Sequence, residues 1–222
     1  MNKTSYLLPA LALVAVALFS AQCGGSKPAG EAAAPAPAAS SANADTIYTA
    51  DVKGSEIVWK GSKLYETSSH TGNIQLKSGT MGFKDGAPVS GTFEIDMASI
   101  TNTDLTDPEY NARLVGHLKN EDFFDVTKFP TAKFELVSAS AGSKPGEYNV
   151  TGNLTIKDVT QTISGPATIA TTDNGATTEA TVTFDRTQFG VRYGSENHFA
   201  DLAQDRVIDD KVEITLKVAL SK

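Results

Sequence analysis

The chain holds a single cysteine, Cys23, so no internal disulfide can belong to its fold. Histidine is almost as scarce: His70, His117 and His198 make up its 3 copies. They fall at no metal-ligand spacing such as H-x-x-x-H, and no cysteine accompanies them, so no metal site is expected. Basic charge is in deficit. The 19 Lys and Arg residues face 26 Asp and Glu, a net charge of -7 over 222 residues. That balance argues against nucleic acid as a partner, which requires a basic face, and against simple electrostatic docking on an anionic membrane. No serine lies in G-x-S-x-G or S-x-x-K, and no Gly-rich phosphate loop precedes a helix. The carboxylate pairs Glu121-Asp122 and Asp209-Asp210 read as solvated turn or cap residues, with Asp122 as a cap of the turn that follows it. No catalytic residue is assigned, and the chain is read as a non-enzyme.

Long hydrophobic runs are also missing. The longest, Tyr6 to Phe19, is too short to span a bilayer, which takes about 20 residues. Lys3 precedes it and the small residues Ser20 and Ala21 follow, the order of a secretory signal. Cys23 comes directly afterwards, and this arrangement resembles a bacterial lipobox. It departs from the usual pattern at Gln22, where a small residue is common, and at Ser20, where Leu is common. Residues 1–22 are therefore read as a lipoprotein signal peptide and Cys23 as the lipidated residue that anchors the chain to a membrane. The plainer reading is an ordinary signal peptide cut near Ala21, which leaves a free thiol exposed in an oxidising compartment. Gly24 to Asn43 is Ala, Pro, Ser and Gly with almost no bulky apolar residue. Such a composition cannot repay the entropy of ordering, so residues 23–44 are read as a lipidated cysteine and flexible tether. The localisation that follows is the bacterial cell envelope, with the folded domain in the periplasm or at the cell surface.

Residues 45–222 form one domain, roughly 175 residues long, enough to bury about 70% of its unfolded surface. Strand signals dominate it. Phe93, Ile95 and Met97 alternate with Thr92, Glu94 and Asp96. Tyr148, Val150, Leu154 and Ile156 oppose Asn149, Thr151, Asn153 and Thr155; Val212, Ile214, Leu216 and Val218 oppose Lys211, Glu213, Thr215 and Lys217. One apolar and one polar face fit antiparallel strands. Turns at Lys84-Asp85-Gly86, Pro145-Gly146 and Asp173-Asn174-Gly175 separate them, each of a kind that calls for positive φ. The expected strands lie near 56–64, 68–77, 79–84, 88–97, 131–141, 147–157, 160–171, 177–185 and 207–219. The count is eight or nine, according to whether 79–84 stands alone. Closing such a sheet into a barrel removes its edges. Periodicity alone leaves open which face is inside. An outer-membrane barrel is disfavoured by the lack of aromatic girdles and by the Lys222 terminus.

Two insertions interrupt the strands. Gly190 to Arg206 is one. The other, at about 105–126, is helical: Tyr110, Leu114 and Leu118 recur every four residues between Pro108 and Lys119. It runs into an aromatic knot, with Phe123, Phe124, Phe129 and Phe134 set among charges around Pro130. A short helix and aromatic knot within an all-strand chain read as a plug for one end of a barrel.

The wording HL-x-x-x-DFFDV-x-KFP-x-A-x-F, from His117 to Phe134, resembles the YceI-like family of polyisoprenoid-binding proteins. The likeness runs from about residue 46 to about 220. It takes in Ser55 to Lys63, His70-Thr71-Gly72, Gly91 to Ile100, Tyr148 to Ile156, Asp185-Arg186 with Phe189-Gly190-Val191, and Ile208-x-Asp210-x-Val212-x-Ile214. Asp158 stands where the family often has Gly. The resemblance implies an all-β, eight-stranded, lipocalin-like antiparallel barrel enclosing a long isoprenoid chain.

An eight-stranded barrel is just wide enough to be filled by side chains or to hold one small ligand. With the resemblance, the cavity reading is preferred over a filled barrel acting as an envelope interaction or stress-response module. The expected lining is Phe93, Ile95, Met97, Phe134 and Leu136, then Tyr148, Val150, Leu154 and Phe184, with Phe123 and Phe124 at the plug. Small inward residues, Ala132, Gly152 and Ala180, leave room between the large ones. Arg186 has two readings: an ion-paired anchor of a tight turn, or a guanidinium at the mouth that binds a head group. Arg192 and His198 are further head-group candidates, and the mouth is expected near 190–206. The partner implied is an apolar lipid, polyprenyl or quinone-like, and no other cofactor. A hydrolase or isomerase acting on that lipid would need a base in the cavity, for which only His70 or His117 is available.

Overall fold

The computed structural model describes residues 35–222. The expected signal peptide at 1–22, Cys23 and residues 24–34 of the expected tether lie outside the described residues.

The described residues form nine strands and one α-helix. In chain order they are β1 (Thr46–Lys63), β2 (Ser69–Asn73), β3 (Gln75–Lys84), β4 (Ala87–Asp96), α1 (Pro108–Lys119), β5 (Thr131–Ala141), β6 (Glu147–Ile156), β7 (Val159–Thr172), β8 (Gly175–Asp185) and β9 (Ile208–Ser221). Strands β3 to β9 pair each with the next, all antiparallel, and β9 pairs back onto β1. β1 closes the ring on its other edge by pairing with β3 near Thr46–Thr49 and with β2 near Val58–Ser62. The result is a closed barrel of eight strands with β2 as the extra piece.

The length of β1 makes that closure possible. A register shift between Asp51 and Glu56 bends it, and Ser55 Oγ fixes the bend by donating to the Asp51 carbonyl and accepting from Ala219 N–H. The division of the second and third strands falls at Ile74, whose N–H donates to Ile57, rather than near residue 78 as the spacing of turn signals suggests.

The turn readings hold at two of three sites. Asp85 and Gly86 both have positive φ, as a tight hairpin requires, and so does Gly146. Gly175 does not belong to this class: it opens β8, and a Cβ there would collide with the Leu220 carbonyl. The turn at Asp158 forms without glycine. Lys157 and Asp158 are both left-handed, with φ of 51° and 58°.

Apolar side chains face inward and charged ones outward, as Lys217 Nζ shows by pairing with Glu179 across β9 and β8 at 3.0 Å on the outer surface. This is the reverse of a lipid-facing barrel. Tyr48, Phe83, Met81, Ile169, Val218 and Leu220 are buried and close the end where β1 begins and β9 ends. The Tyr48 and Phe83 rings lie 5.4 Å apart there, and Tyr48 Oη donates to the Thr172 carbonyl.

The stretch just before β1 touches the barrel wall. Ala39 N–H donates to the Leu136 carbonyl at 2.7 Å, beside a register shift in β5, and Asn153 Nδ2 donates to the Ala36 carbonyl at 2.5 Å. These contacts run through main-chain atoms of a segment with no bulky apolar side chain. Nothing in its composition signals them.

Candidate functional site

Inside the barrel lies an apolar cavity of about 340 Å³. Its walls come from the inward positions of the strands, and the sequence reading is accurate for most of them. Phe93, Ile95, Met97, Phe134, Leu136, Val150, Leu154 and Phe184 all line it, as do Phe123 and Phe124 of the plug. Tyr148 does not: it packs against the core, outside the lining. The sequence reading missed Trp59, Ile163, Val182 and the apolar inward face of β9, Val212, Ile214 and Leu216. The alternation of β9 was visible; only its place beside the cavity was not.

Of the small inward residues Ala132, Gly152 and Ala180, Gly152 does not provide room, and Gly79, which the sequence reading did not single out, behaves in the same way; Ala132 lines the cavity. The Phe134 ring lies across Gly152, and the Phe93 ring lies across Gly79. A Cβ at either glycine would overlap the ring, so these positions seat aromatic side chains. Ala180 does line the cavity.

The plug is built as the sequence suggests. Asp107 caps α1 through Oδ1, which accepts from Glu109 and Tyr110 N–H, and Pro108 occupies the first turn, where its missing N–H costs nothing. Leu114 and Leu118 turn toward the cavity. After Asn120 the chain reverses through Asp125, at φ 45°, and drives Phe123 and Phe124 inward. Asn120, not Asp122, caps this turn, with Oδ1 accepting from Asp122 N–H; Asp122 instead meets His117 Nε2 at 3.1 Å. Phe123 packs against His117 and against Tyr193 of the second insertion. From the β6–β7 turn, Lys157 Nζ donates to the Phe123 carbonyl at 2.8 Å and ties the plug to the barrel.

Arg186 borders the cavity but cannot serve a head group. Its side chain is 4% exposed. Nε donates to the Asp209 carbonyl, Nη1 to Val191, and Nη2 to Ile208, with Asp210 Oδ1 at 3.4 Å. Burial lowers its pKa, while Asp210, Asp185 and Asp209 oppose that shift and keep the guanidinium charged. The anchor reading is the one that holds. Asp210 is likewise no solvated turn residue: its other oxygen accepts from Ser195 Oγ and Asn197 Nδ2. The pair thus binds the second insertion to the start of β9. Asp185 completes the corner by accepting from both Thr187 N–H and Oγ1.

Arg192 and His198 lie outside the cavity. Both are exposed, and His198 Nδ1 meets Ser195 Oγ at 3.2 Å. The mouth expected near 190–206 falls beside a group of polar lining residues. This group sits where β1 ends and β2 begins, at Ser62, Lys63, Ser68, Ser69 and His70; Ser164, Thr178, Arg186 and Asp209 line the cavity elsewhere. Loop 190–206 covers this region from outside: Lys63 Nζ donates to the Asp205 carbonyl and Leu64 N–H to Val207.

At this mouth His70 Nδ1 lies 2.8 Å from Asp104 Oδ2. Burial raises the Asp104 pKa, but bonds from Thr71 N–H, His70 and Asn102 outweigh it and hold the carboxyl below its usual value. His117 is not in the lining; it shares a separate surface hollow with His70, Tyr110 and Arg113.

A family model for the YceI-like domain matches residues 48–220, and the chain belongs to that family. A UPF0312 protein of Pseudomonas putida is 29% identical over 160 residues, which span 65% of this chain and 76% of that one. Among solved structures, Burkholderia cenocepacia BcnA superposes with a TM-score of 0.60 at 24% identity, covering 77% of this chain and 98% of that one. A polyisoprenoid binding domain from Saccharophagus degradans, implicated in plant cell wall breakdown, superposes with a TM-score of 0.58 at 17% identity, covering 78% and 97%. The two solved structures share the fold.

Proposed function

We propose that this YceI-like protein binds one long apolar lipid of isoprenoid type, polyprenyl or quinone-like, inside its barrel, and carries or sequesters it in the cell envelope. The observation that carries the reading is the cavity itself: a barrel of eight strands can be filled, and this one retains about 340 Å³ between apolar walls. That volume lies at the lower end of the range for small-ligand pockets, about 300–1,000 Å³. The lining offers an apolar chain a dry wall, and each buried CH₂ contributes about 0.8 kcal/mol, so affinity needs few polar contacts. The name of the Saccharophagus degradans neighbour, a polyisoprenoid binding domain, supports the same ligand class. The polar groups that orient a head group on this reading are Lys63 and His70 at the mouth, in place of Arg186, Arg192 and His198. The protein acts by binding and release; His70 with Asp104 orients and does not turn the lipid over.

The chain has one tryptophan, Trp59, and it lines the cavity with its Nε1 donating to the Thr101 carbonyl. Titration with geranylgeraniol should shift its emission and saturate at one lipid per chain. An emission spectrum unmoved by any prenyl lipid contradicts the reading. The turnover alternative is tested by incubating that lipid with His70→Ala and unaltered protein; a product formed only by the latter would favour it.

The envelope placement belongs to the same proposal and rests on Cys23 following an apolar run. Labelled palmitate should enter the unaltered protein and not Cys23→Ser. Equal labelling of both, or a mature chain starting elsewhere, contradicts anchoring at Cys23.

A further inference from the structure

The barrel wall is split. The ladder between β7 and β8 runs from Thr172–Gly175 up to Ala167–Ala180 and stops there. Both strands continue. β7 goes on to Val159, paired with β6 all the way, and β8 goes on to Asp185, paired with β9 all the way. Between these upper halves the edges face each other without a ladder.

Pro166 marks the place where pairing ends. It has no N–H to donate, and proline inside a sheet is confined to edges and interruptions of the ladder. Gly165 stands beside it. A Cβ at Gly165 would meet only Val182 Cγ2 at 3.8 Å and the Thr181 carbonyl at 3.9 Å, ordinary contacts, so the strands are still near each other at that level. Higher up, Gln161 Nε2 reaches past the end of β8 to the Gln188 carbonyl at 3.2 Å.

The cavity breaks through at this split. Ser164 points outward, where its Oγ meets Thr151 Oγ on the exposed face, and Pro166 is exposed; yet both border the cavity together with Gly165. The outward side chains along the unpaired edges, Thr162, Ser164, Thr181 and Thr183, carry hydroxyls, and the one charge on them, Asp185, stands at the far end of β8, where Thr187 engages it. The mouth at Lys63 and His70 is of a different character.

We propose that the split between β7 and β8 is a lateral portal through which an isoprenoid lipid with an uncharged head passes into and out of the barrel. The proposal rests on the lipid-binding reading above. A lipid moving sideways through a wall slot leaves the plug in place, with Phe123 still held by Lys157, His117 and Tyr193. The neutral rim suits a hydroxyl or carbonyl head, and the unpaired strand edges offer it main-chain partners as it passes.

The test closes the slot from outside. Continuing the ladder register places Ser164 opposite Thr183, both on the outer face. The disulfide of Ser164→Cys with Thr183→Cys, made in a Cys23→Ser full-length chain, is compared with its reduced form. Uptake and release of geranylgeraniol are followed by Trp59 emission. The oxidised form should exchange about tenfold more slowly or worse, as expected when a gate is locked, and reductant should restore the rate. A second variant, Pro166→Val, supplies the missing N–H so that the ladder can extend, and should slow exchange in the same direction. Equal rates in oxidised and reduced protein overturn the portal. Should the disulfide fail to form, unchanged rates in Pro166→Val overturn it. Failure of the lipid-binding reading looks different: no form of the protein, open or closed, then responds to geranylgeraniol at all.

Discussion

The tip of the Phe134 ring lies against Gly152 of the neighbouring strand, so close that a Cβ at residue 152 would overlap Cζ and Cε2. Leu154, the cross-strand partner of Phe134, lies two residues further along β6 on the same inward face. The glycine is there for the ring, and the ring is one wall of the cavity. Gly152→Ala should therefore force Phe134 out of place, with a loss of about 1–3 kcal/mol from overpacking, read from the urea midpoint. Pairing it with Phe134→Leu should recover part of that loss. If Gly152→Ala alone is neutral, the ring has room to move and the wall is softer than described.

Arg186 is a fastener for the second insertion. Arg186→Ala removes donors from the carbonyls of Val191, Ile208 and Asp209 and leaves Asp210 without its cation. Breaking a buried pair from one side costs about 3–5 kcal/mol, and chemical denaturation should show a loss of that order. Arg186→Lys should recover little, because a single ammonium cannot reach three carbonyls. Lipid bound per folded molecule should be unchanged for charged and neutral heads alike. A selective loss of charged-head ligands in a stable Arg186→Ala protein would restore the head-group role.

The plug depends on one phenylalanine more than on the other. Phe123 is buried, and Phe124 is only half-buried. Phe123→Ala should lose about 3–5 kcal/mol, and Phe124→Ala clearly less. Equal and negligible losses would place the knot at the surface.

Asp104 gives the mouth a pH dependence. Its folded pKa is depressed, so the stabilisation it provides is fully present above the unfolded value of 3.8 and is lost as pH falls through the folded value. Thermal unfolding of unaltered protein and Asp104→Asn should differ most near neutral pH and converge in acid. A gap that stays constant down to pH 2, about two units below the ordinary carboxyl value, would remove the linkage.

The strands were legible because they alternate with a clean period of two; their closure into an eight-stranded barrel came from the family resemblance. The helix was legible to its last residue, since Asp107-Pro108 starts it and Asn120 stops it. What periodicity does not carry is distance around the barrel. Arg186 and Asp210 are 24 residues apart, and only their meeting turns a head-group candidate into an anchor. The inward glycines mislead for a related reason: their space belongs to rings on adjacent strands. Pro166, a proline within the expected strand 160–171, is the one sign of the split in the sequence, and the sequence reading missed it.

The central claim is that the cavity holds one prenyl lipid. Native mass spectrometry of the full-length protein purified from the cells that make it tests it most directly. The account predicts a population heavier than the polypeptide by a single lipid, released on activation, with a mass built from isoprene units. A protein that is purified without lipid, and takes up none when prenyl lipids are supplied, would contradict it.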